Sequence, residues 1–377
     1  MKSTKTMKSQ ANSVSKQVDL AIVGGGLAGC AMAWQATLRG LQVAMIDRCA
    51  QETSSRVAAG LVTPITGSRL ALSWRYIEFF TQADAFYNAA QRSLDESFWT
   101  VAPALRLFSS KDERDLFEAR WCVDDPMATG PSIRVDRLTS QDLSGFEAPL
   151  GGFLMSPAGR LNTGRYLQAT HSMLETKGLF FNHGLDLDQD LKWTEDRYDF
   201  PSLHLRARSV CLAQGIEARA NRWFGSLPLH PARGDILRVL SHGPKIDHVV
   251  HHGGWIVPLG ADEFLLGATY SRQGQDCQIA GPIGDAAQDE LIRRWKAFFA
   301  QPVPALRVIT HRAAVRPASY DRHPLVGVHR EFPRLMCLNG LGSKGSLMAP
   351  GLAALLLDCI EHDRPIEKAL RYDRKEL

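Results

Sequence analysis

No C-x-x-C pair occurs among the seven cysteines of this 377-residue sequence, which form an odd, scattered set: Cys30, Cys49, Cys122, Cys211, Cys277, Cys337 and Cys359. That pattern argues against a disulfide framework and a zinc site, and fits reduced thiols in a cytoplasm. No stretch approaches the roughly 18 apolar residues that a membrane span requires. The longest candidate, 352–360, is interrupted by Asp358 and reads as a buried helix. A true excess of charge is missing as well. The formal surplus of +4 comes from Lys2, Lys5, Lys8 and Lys16, in a polar tail that contains no acid. The remainder balances at 40 basic against 40 acidic residues. Bulk electrostatics therefore gives no case for nucleic acid, although a local basic patch stays open. The tail, residues 1–17, lacks a secretory apolar core and is expected to be disordered, with Met7 an alternative start. No repeat at solenoid or propeller spacing occurs. What is there is ordinary globular composition, 45% apolar and 22% charged, at a length that suits two domains.

The most informative stretch is Val18-Asp-Leu-Ala-Ile-Val-Gly-Gly-Gly-Leu-Ala-Gly-Cys30. Leu20 to Val23 is a short apolar run suited to a strand buried on both faces. Gly24, Gly26 and Gly29 follow at G-x-G-x-x-G spacing: the first for a tight turn, the second for close approach of a pyrophosphate, the third for helix–strand packing. A helix is expected from Leu27 to Arg39, with Gly40 as its stop, and its N-terminus offers free N–H groups to a phosphate. Glycine-rich turns are common, so context decides. A second apolar strand, 41–46, ends in Asp47, 18 residues past Gly29, near the offset of a ribose-binding carboxylate. The unit reads as a dinucleotide site, and Asp47 disfavours the 2′-phosphate of NADP.

Further along, residues 52–75 are rich in Ser, Ala and Gly, consistent with backbone lying against something flat; the alternative is a mobile loop. Helices are expected from Ser73 to Leu94, from Asn162 or Thr163 to Lys177 with Gly178 closing, and from Asp285 to Ala300. Strands are expected at 209–213, 235–240, 254–258, 263–268, 307–314 and 335–338. The last runs into Asn339-Gly-Leu-Gly-Ser-Lys-Gly-Ser346 and a terminal helix with Pro350 near its first turn, which makes a second backbone cradle.

With these pieces in order the chain resembles the D-amino-acid oxidase superfamily of FAD-dependent oxidoreductases. It is most similar to glycine and sarcosine oxidases and to the oxidase half of the bifunctional enzyme that modifies tRNA wobble uridine. The motifs carrying the likeness are the glycine fingerprint, Pro231-Ala-Arg-Gly-Asp235, Trp255-Ile-Val-Pro258, Leu266-Gly-Ala-Thr269, Val315-Arg-Pro317 and Gly340-Leu-Gly-Ser-Lys-Gly345. The resemblance implies an α/β fold in which a Rossmann-like FAD-binding domain (18–85, 145–225 and 305–377) is interleaved with a β-rich α+β substrate domain (86–144 and 226–304). It implies FAD with its pyrophosphate at Gly24, Gly26, Leu27, Ala28 and Gly29, and Asp47 and Arg48 beside the adenosine ribose. Ser54, Ser55, Ala59, Gly60 and Leu61, with Gly215, Gly342, Ser343, Lys344, Gly345 and Ser346, would line the rest of the cofactor. Relatives that bind flavin covalently use a His where Val57 stands or a Cys near Arg316, so non-covalent FAD is expected.

The chemistry the resemblance implies is oxidation of a C–N bond in a small amine or amino acid bearing a carboxylate. Hydride passes to flavin N5 and the imine is hydrolysed. Arg316 would grip the carboxylate, the competing role being a structural ion pair. Lys344, in the loop where glycine oxidases carry an Arg, would serve the flavin or the carboxylate; the alternative is a solvated loop lysine. Trp255 replaces a carboxylate-binding Tyr and would wall the pocket. His251-His252 are expected to face solvent. Phe264-Leu265-Leu266 stands where some relatives have a lysine that aids reaction with oxygen, so oxygen and another electron acceptor both remain open. A tRNA-borne substrate is the alternative to a free amine, and Arg69 and Trp74-Arg75 have no counterpart that assigns them.

Overall fold

The computed structural model describes residues 15–121, 132–243, 245–260, 262–272 and 279–374. Two eight-stranded sheets organise them. The first is built on a parallel core, in the order Phe180–Asn182, Val43–Asp47, Lys16–Val23, Leu205–Leu212. The outer edge of Leu205–Leu212 is shared. Its first half takes an antiparallel pair, Arg197–Phe200 and Lys192–Thr194, and its second half takes Leu335–Asn339, followed by Leu325–Val328. Near-continuous apolar runs suit these strands because helices cover one side and loops the other. Registers align Val23 with Leu212, and Leu212 with Cys337, so three Gly-containing turns leave the sheet at one edge. Ligands of open α/β sheets bind outside such carboxyl ends.

The strand expected to follow a disordered tail begins earlier, at Lys16, whose backbone N–H donates to His204 and whose Nζ donates to Gly178. Lys16 is thus a strand residue; residues 1–14 lie outside the described ones. The helix Leu27–Leu38 follows the first strand, and Gly40 takes a φ of 79° just beyond it. Buried on the same side are Thr163–Thr176 and the C-terminal helix Gly345–His362.

The second sheet runs Arg307–Arg316, Ala232–Leu240, Glu263–Gly267, Trp255–Pro258, Val249–His251, Ala104–Leu107, Gly152–Ser156, Arg134–Leu138. Its back is covered by the helix Ala286–Phe298, through Leu291, Trp295 and Phe298 against Leu237 and Val239. Strands 152–156 and 307–316 fall within spans expected to join the first sheet, yet both are hydrogen-bonded into the second. Local pattern shows that a segment is a strand; its partners are chosen by topology. The boundary expected at 85 likewise falls inside a helix, Tyr76–Leu94, which packs on Gly345–His362.

Pro350 sits inside Gly345–His362, beyond the first turn where it was expected. Having no N–H, it leaves the carbonyl of Ser346 without its intrahelical donor. The buried hydroxyl of Tyr87 supplies one, donating to that oxygen at 3.0 Å. Replacing Tyr87 with Phe keeps the ring and orphans the carbonyl. The expected loss is about 1–3 kcal/mol, the cost of an unsatisfied buried acceptor. It would appear as a lower urea midpoint with an unchanged slope.

Candidate active site and cofactor cradle

At the end of the first strand Gly24 adopts a φ of 104°, and its N–H donates to Ile46 at 2.9 Å. The turn is packed too tightly for any side chain. A Cβ at Gly24 would lie 2.4 Å from the Ala213 carbonyl oxygen, and one at Gly29 would lie 1.8 Å from the Gly24 oxygen. Gly26 caps the next helix without a side chain, and a Cβ there would meet Ser55 Oγ at 2.7 Å. That hydroxyl accepts from the Leu27 N–H at 3.0 Å, so an oxygen already stands where a phosphate oxygen would be welcome at a helix N-terminus. Asp47 accepts from the Gly25 and Cys49 N–H groups. A carboxylate has about four acceptor positions, which leaves capacity for ribose hydroxyls. Arg48 is exposed and paired with Glu217.

The sequence did not single out Gly25 or His171. A Cβ at Gly25 would lie 2.7 Å from His171 Nε2, which bonds the Gly25 carbonyl at 2.9 Å. His171 is buried, stacked on Phe180, and its pKa is lowered by that burial. It props the turn from Thr163–Thr176, where it is a polar residue inside the apolar stripe of Tyr166, Leu167, Thr170 and Leu174.

The segment expected to be a connection after Asp47 is built rather than loose. A short helix, Ser54–Val57, is capped by Thr53, and Gly60 (φ 74°) lies so close to Leu161 that a Cβ would reach 1.8 Å from its oxygen. From the second sheet Arg312 donates to the carbonyls of Arg56 (3.2 Å) and Gln51 (2.5 Å), clamping this segment across the interface. On the opposite side Asn339 is buried, donating to the Gly215 carbonyl at 2.8 Å and accepting from the Gly340 N–H. The Gly342 N–H donates to Pro317 at 3.1 Å, which ties the glycine loop to the strand end that carries Arg316. Ser343 is exposed, whereas Gly345 and Ser346 are buried in the first turn of the terminal helix.

The front of the second sheet faces these loops. Arg316 leaves the edge strand and lays its guanidinium over Gly234 of the next one, where a Cβ would meet Nη2 at 2.1 Å and Nη1 at 2.3 Å. Tyr270 flanks it, its ring centroid 5.7 Å from Cζ. Nη1 is buried without a hydrogen-bond partner, and burial lowers the guanidinium pKa. The neighbouring acid, Asp235, is taken: Arg233 and Thr269 donate to it at 2.8 Å, and His311 Nε2 lies 3.0 Å away. A structural ion pair therefore does not account for Arg316 among the described residues.

Trp255 lies flat over Gly267, which must be Gly because a Cβ would sit 2.4 Å from the indole. The same ring packs near Val57, Ile236 and Ala314, so it walls the space between the sheet and the Ser54–Val57 helix. His251 is paired in register with both Trp255 and Arg106. It does not face solvent as expected; its Nε2 is buried and unpartnered. Desolvation, with the charges of Arg106 and Lys344, pushes its pKa down to about 3. Lys344 Nζ donates to Ser73 Oγ at 3.0 Å, and burial brings its pKa down to about 8. Arg106 is neutralised by Glu113. The face thus offers an unpaired guanidinium, an aromatic wall, a neutral imidazole and a lysine of reduced basicity.

Arg69 is exposed, and its carbonyl accepts from Arg120. Trp74 packs edge-on to His323, and Arg75 pairs with Glu78 and Glu367. These contacts fasten the hairpin and the C-terminal segment.

No helix among the described residues is long and apolar enough to cross a membrane, and no group of metal-ligating side chains occurs there. Among curated proteins, the tRNA 5-methylaminomethyl-2-thiouridine biosynthesis bifunctional protein MnmC of Acinetobacter baylyi is 27% identical over 92% of this chain and 53% of its own length. The protein of that name from a Caulobacter species is 31% identical over 89% and 53%. The chain spans about half the length of these relatives. Among solved structures, glycine oxidase from Geobacillus kaustophilus superposes with a TM-score of 0.75 at 20% identity, covering 93% of this chain and 96% of that one. Iminodiacetate oxidase from Chelativorans sp. BNC1 superposes with 0.75 at 19% identity, covering 93% and 98%. Residues 19–359 match the family model described as DAO, FAD dependent oxidoreductase, and the chain belongs to that family.

Proposed function

We propose that the chain oxidises the C–N bond of an amine bearing a carboxylate, with that carboxylate held by Arg316. The observation that carries this reading is the buried Nη1 with no partner, aimed over Gly234 while the nearby acid is engaged elsewhere. Leaving such a donor unsatisfied costs about 1–3 kcal/mol, more when it is charged, and a ligand carboxylate removes the cost.

FAD fits the cradle: pyrophosphate at Gly24, Gly26 and Gly29 with the Leu27 and Ala28 end of the helix, ribose at Asp47, and the ring between Ser54–Leu61 and Gly342–Ser346. When bound, it supplies a two-electron acceptor for the hydride of the carbon beside nitrogen. The protein's part is to position the substrate and exclude water. Arg316 fixes one end, Trp255 closes the space behind, and Lys344 places positive charge at the glycine loop. Neither Val57 nor Arg316 is a nucleophile, which agrees with non-covalent binding. The first sheet with its helices would form the FAD-binding part, and the second sheet the substrate part.

The test is an anaerobic spectrum of the yellow protein titrated with glycine, sarcosine, proline and other secondary amines. Bleaching by one of them is expected; re-admitting air then shows whether oxygen or another acceptor takes the electrons. The relatives favour a second reading, in which the amine is carried on tRNA. A flavin that stays oxidised with every free amine yet is reduced by tRNA, with salt-dependent binding, would select it.

Lys344 makes the first reading pH-dependent. Its ammonium is charged below about 8 and neutral above. Affinity for a carboxylate ligand should therefore fall as pH rises through that value, and Lys344→Met should bind more weakly below it, show no change through it, and approach the parent above it.

A further inference from the structure

We propose that His251 forms a second subsite on this face, taking an oxygen acceptor, so that the preferred substrate is a secondary amine with a carboxylate on one arm and a carbonyl or carboxylate oxygen on the other. This rests on the reading of Arg316 given above.

The sheet register sets the two subsites apart. Ile236, Gly267, Trp255 and His251 are successive partners across four strands. Arg316 lies over Gly234, two residues from Ile236 and on the same face. With strands about 4.8 Å apart, the His251 strand is roughly 14 Å from the strand under Arg316. Trp255 lies flat between them. Glycine or sarcosine, gripped at Arg316, has nothing to place beyond the indole; an amine with a second arm does.

The chemistry of that far end selects the occupant. Lys344 and Arg106 both bear on His251, and its surroundings keep the imidazole neutral. A neutral imidazole carries one N–H and one lone pair. Nε2 is buried and unpartnered; with its proton there the ring donates to an oxygen, and the charge of Lys344, Arg106 being paired with Glu113, repels an ammonium while attracting that oxygen. Lys344 has only the Ser73 hydroxyl as its hydrogen-bond partner among the described residues, so it adds to the pull on that oxygen.

The experiment uses the FAD-loaded full chain and three thioether acids in which sulfur replaces the amine, so that no C–N bond is oxidised. They are (ethylthio)acetate, (carbamoylmethylthio)acetate and thiodiacetate, with affinities measured by calorimetry. The second oxygen should tighten binding about tenfold or more, the scale of one buried hydrogen bond. His251→Phe should erase that gain and leave (ethylthio)acetate binding and the flavin band unchanged; His251→Gln, which keeps a donor, should retain part of it and guards against a variant that fails to fold. A gain with both the amide and the diacid assigns the subsite to any carbonyl oxygen, and a gain with the diacid alone assigns it to a carboxylate. Equal affinities for all three overturn the subsite and leave Arg316 standing. If none binds, the Arg316 reading falls with it. A His251→Phe variant that shifts the flavin band while keeping the gain would give Nε2 to the cofactor and overturn the proposal.

Discussion

Replacing Arg316 with methionine is expected to lower the efficiency of flavin reduction by about 10²–10⁴-fold, the equivalent of two charge-assisted hydrogen bonds at roughly 1.5–3 kcal/mol each. Methionine is chosen over alanine because it keeps the apolar stem against Tyr270 and Gly234 and removes only the fork. FAD content should not change, since no bond from this guanidinium supports the cradle. The variant should also be no less stable than the parent. A buried donor without a partner is a cost in the ligand-free protein, and its removal relieves that cost. Arg316→Lys should recover a small part of the activity, because a point charge cannot bond both oxygens of a carboxylate in parallel. Stopped-flow reduction and a melting curve on the same preparations test both halves. Unimpaired reduction in Arg316→Met would sink the anchor.

The second large effect is expected at Gly29. Its Cβ would be placed 1.8 Å from the Gly24 oxygen, and Gly24 is itself fixed by its bond to Ile46 and its contact with Ala213. The two nearest atoms are backbone atoms of Gly24, so the clash cannot be relieved by a side chain swinging away. Gly29→Ala must spread the turn from the helix. Overpacking of this kind costs about 1–3 kcal/mol or more, which is at least 5–150-fold in FAD affinity. The variant should purify pale or insoluble. Gly164→Ala is the matched control, with only the Asn162 side chain within reach, at 3.7 Å. A yellow Gly29→Ala protein with unaltered FAD affinity would show that the turn does not hold the cofactor.

The cradle was legible because its signal is local. Three glycines, an apolar strand on either side and Asp47 all lie within about thirty residues, and their spacing follows from strand and helix geometry. Residues that act from a distance carry no such mark. Gly25 is constrained by His171, 146 positions away, and nothing in the fingerprint requires it. Gly234 was visible only as part of a motif; its purpose, a seat for Arg316, needs the antiparallel register to be seen. His251 shows a different limit. A strand's alternating pattern separates two faces, but it cannot tell which is covered by another part of the chain, and here the face first read as exposed buries His251 Nε2 within reach of the charge of Lys344, 93 residues away. The strand expected at 307–314 was found and placed with the other sheet for the same reason, whereas the strand at 152–156 was not read from the sequence at all.

The registers of the first sheet also dictate when the protein can acquire its colour. Lys16 pairs with Leu205, Val23 with Leu212, and Leu212 with Cys337. The Gly24 turn leans on Ala213, and the facing glycine loop begins at Gly340. A chain emerging from the ribosome therefore carries its glycine fingerprint for most of its synthesis as an unformed segment, waiting for walls that are translated last. Pairings of such sequence separation form slowly. Flavin loading thus belongs after translation, and ribosome-bound chains arrested before the 335–339 strand should all be colourless, however much free FAD surrounds them.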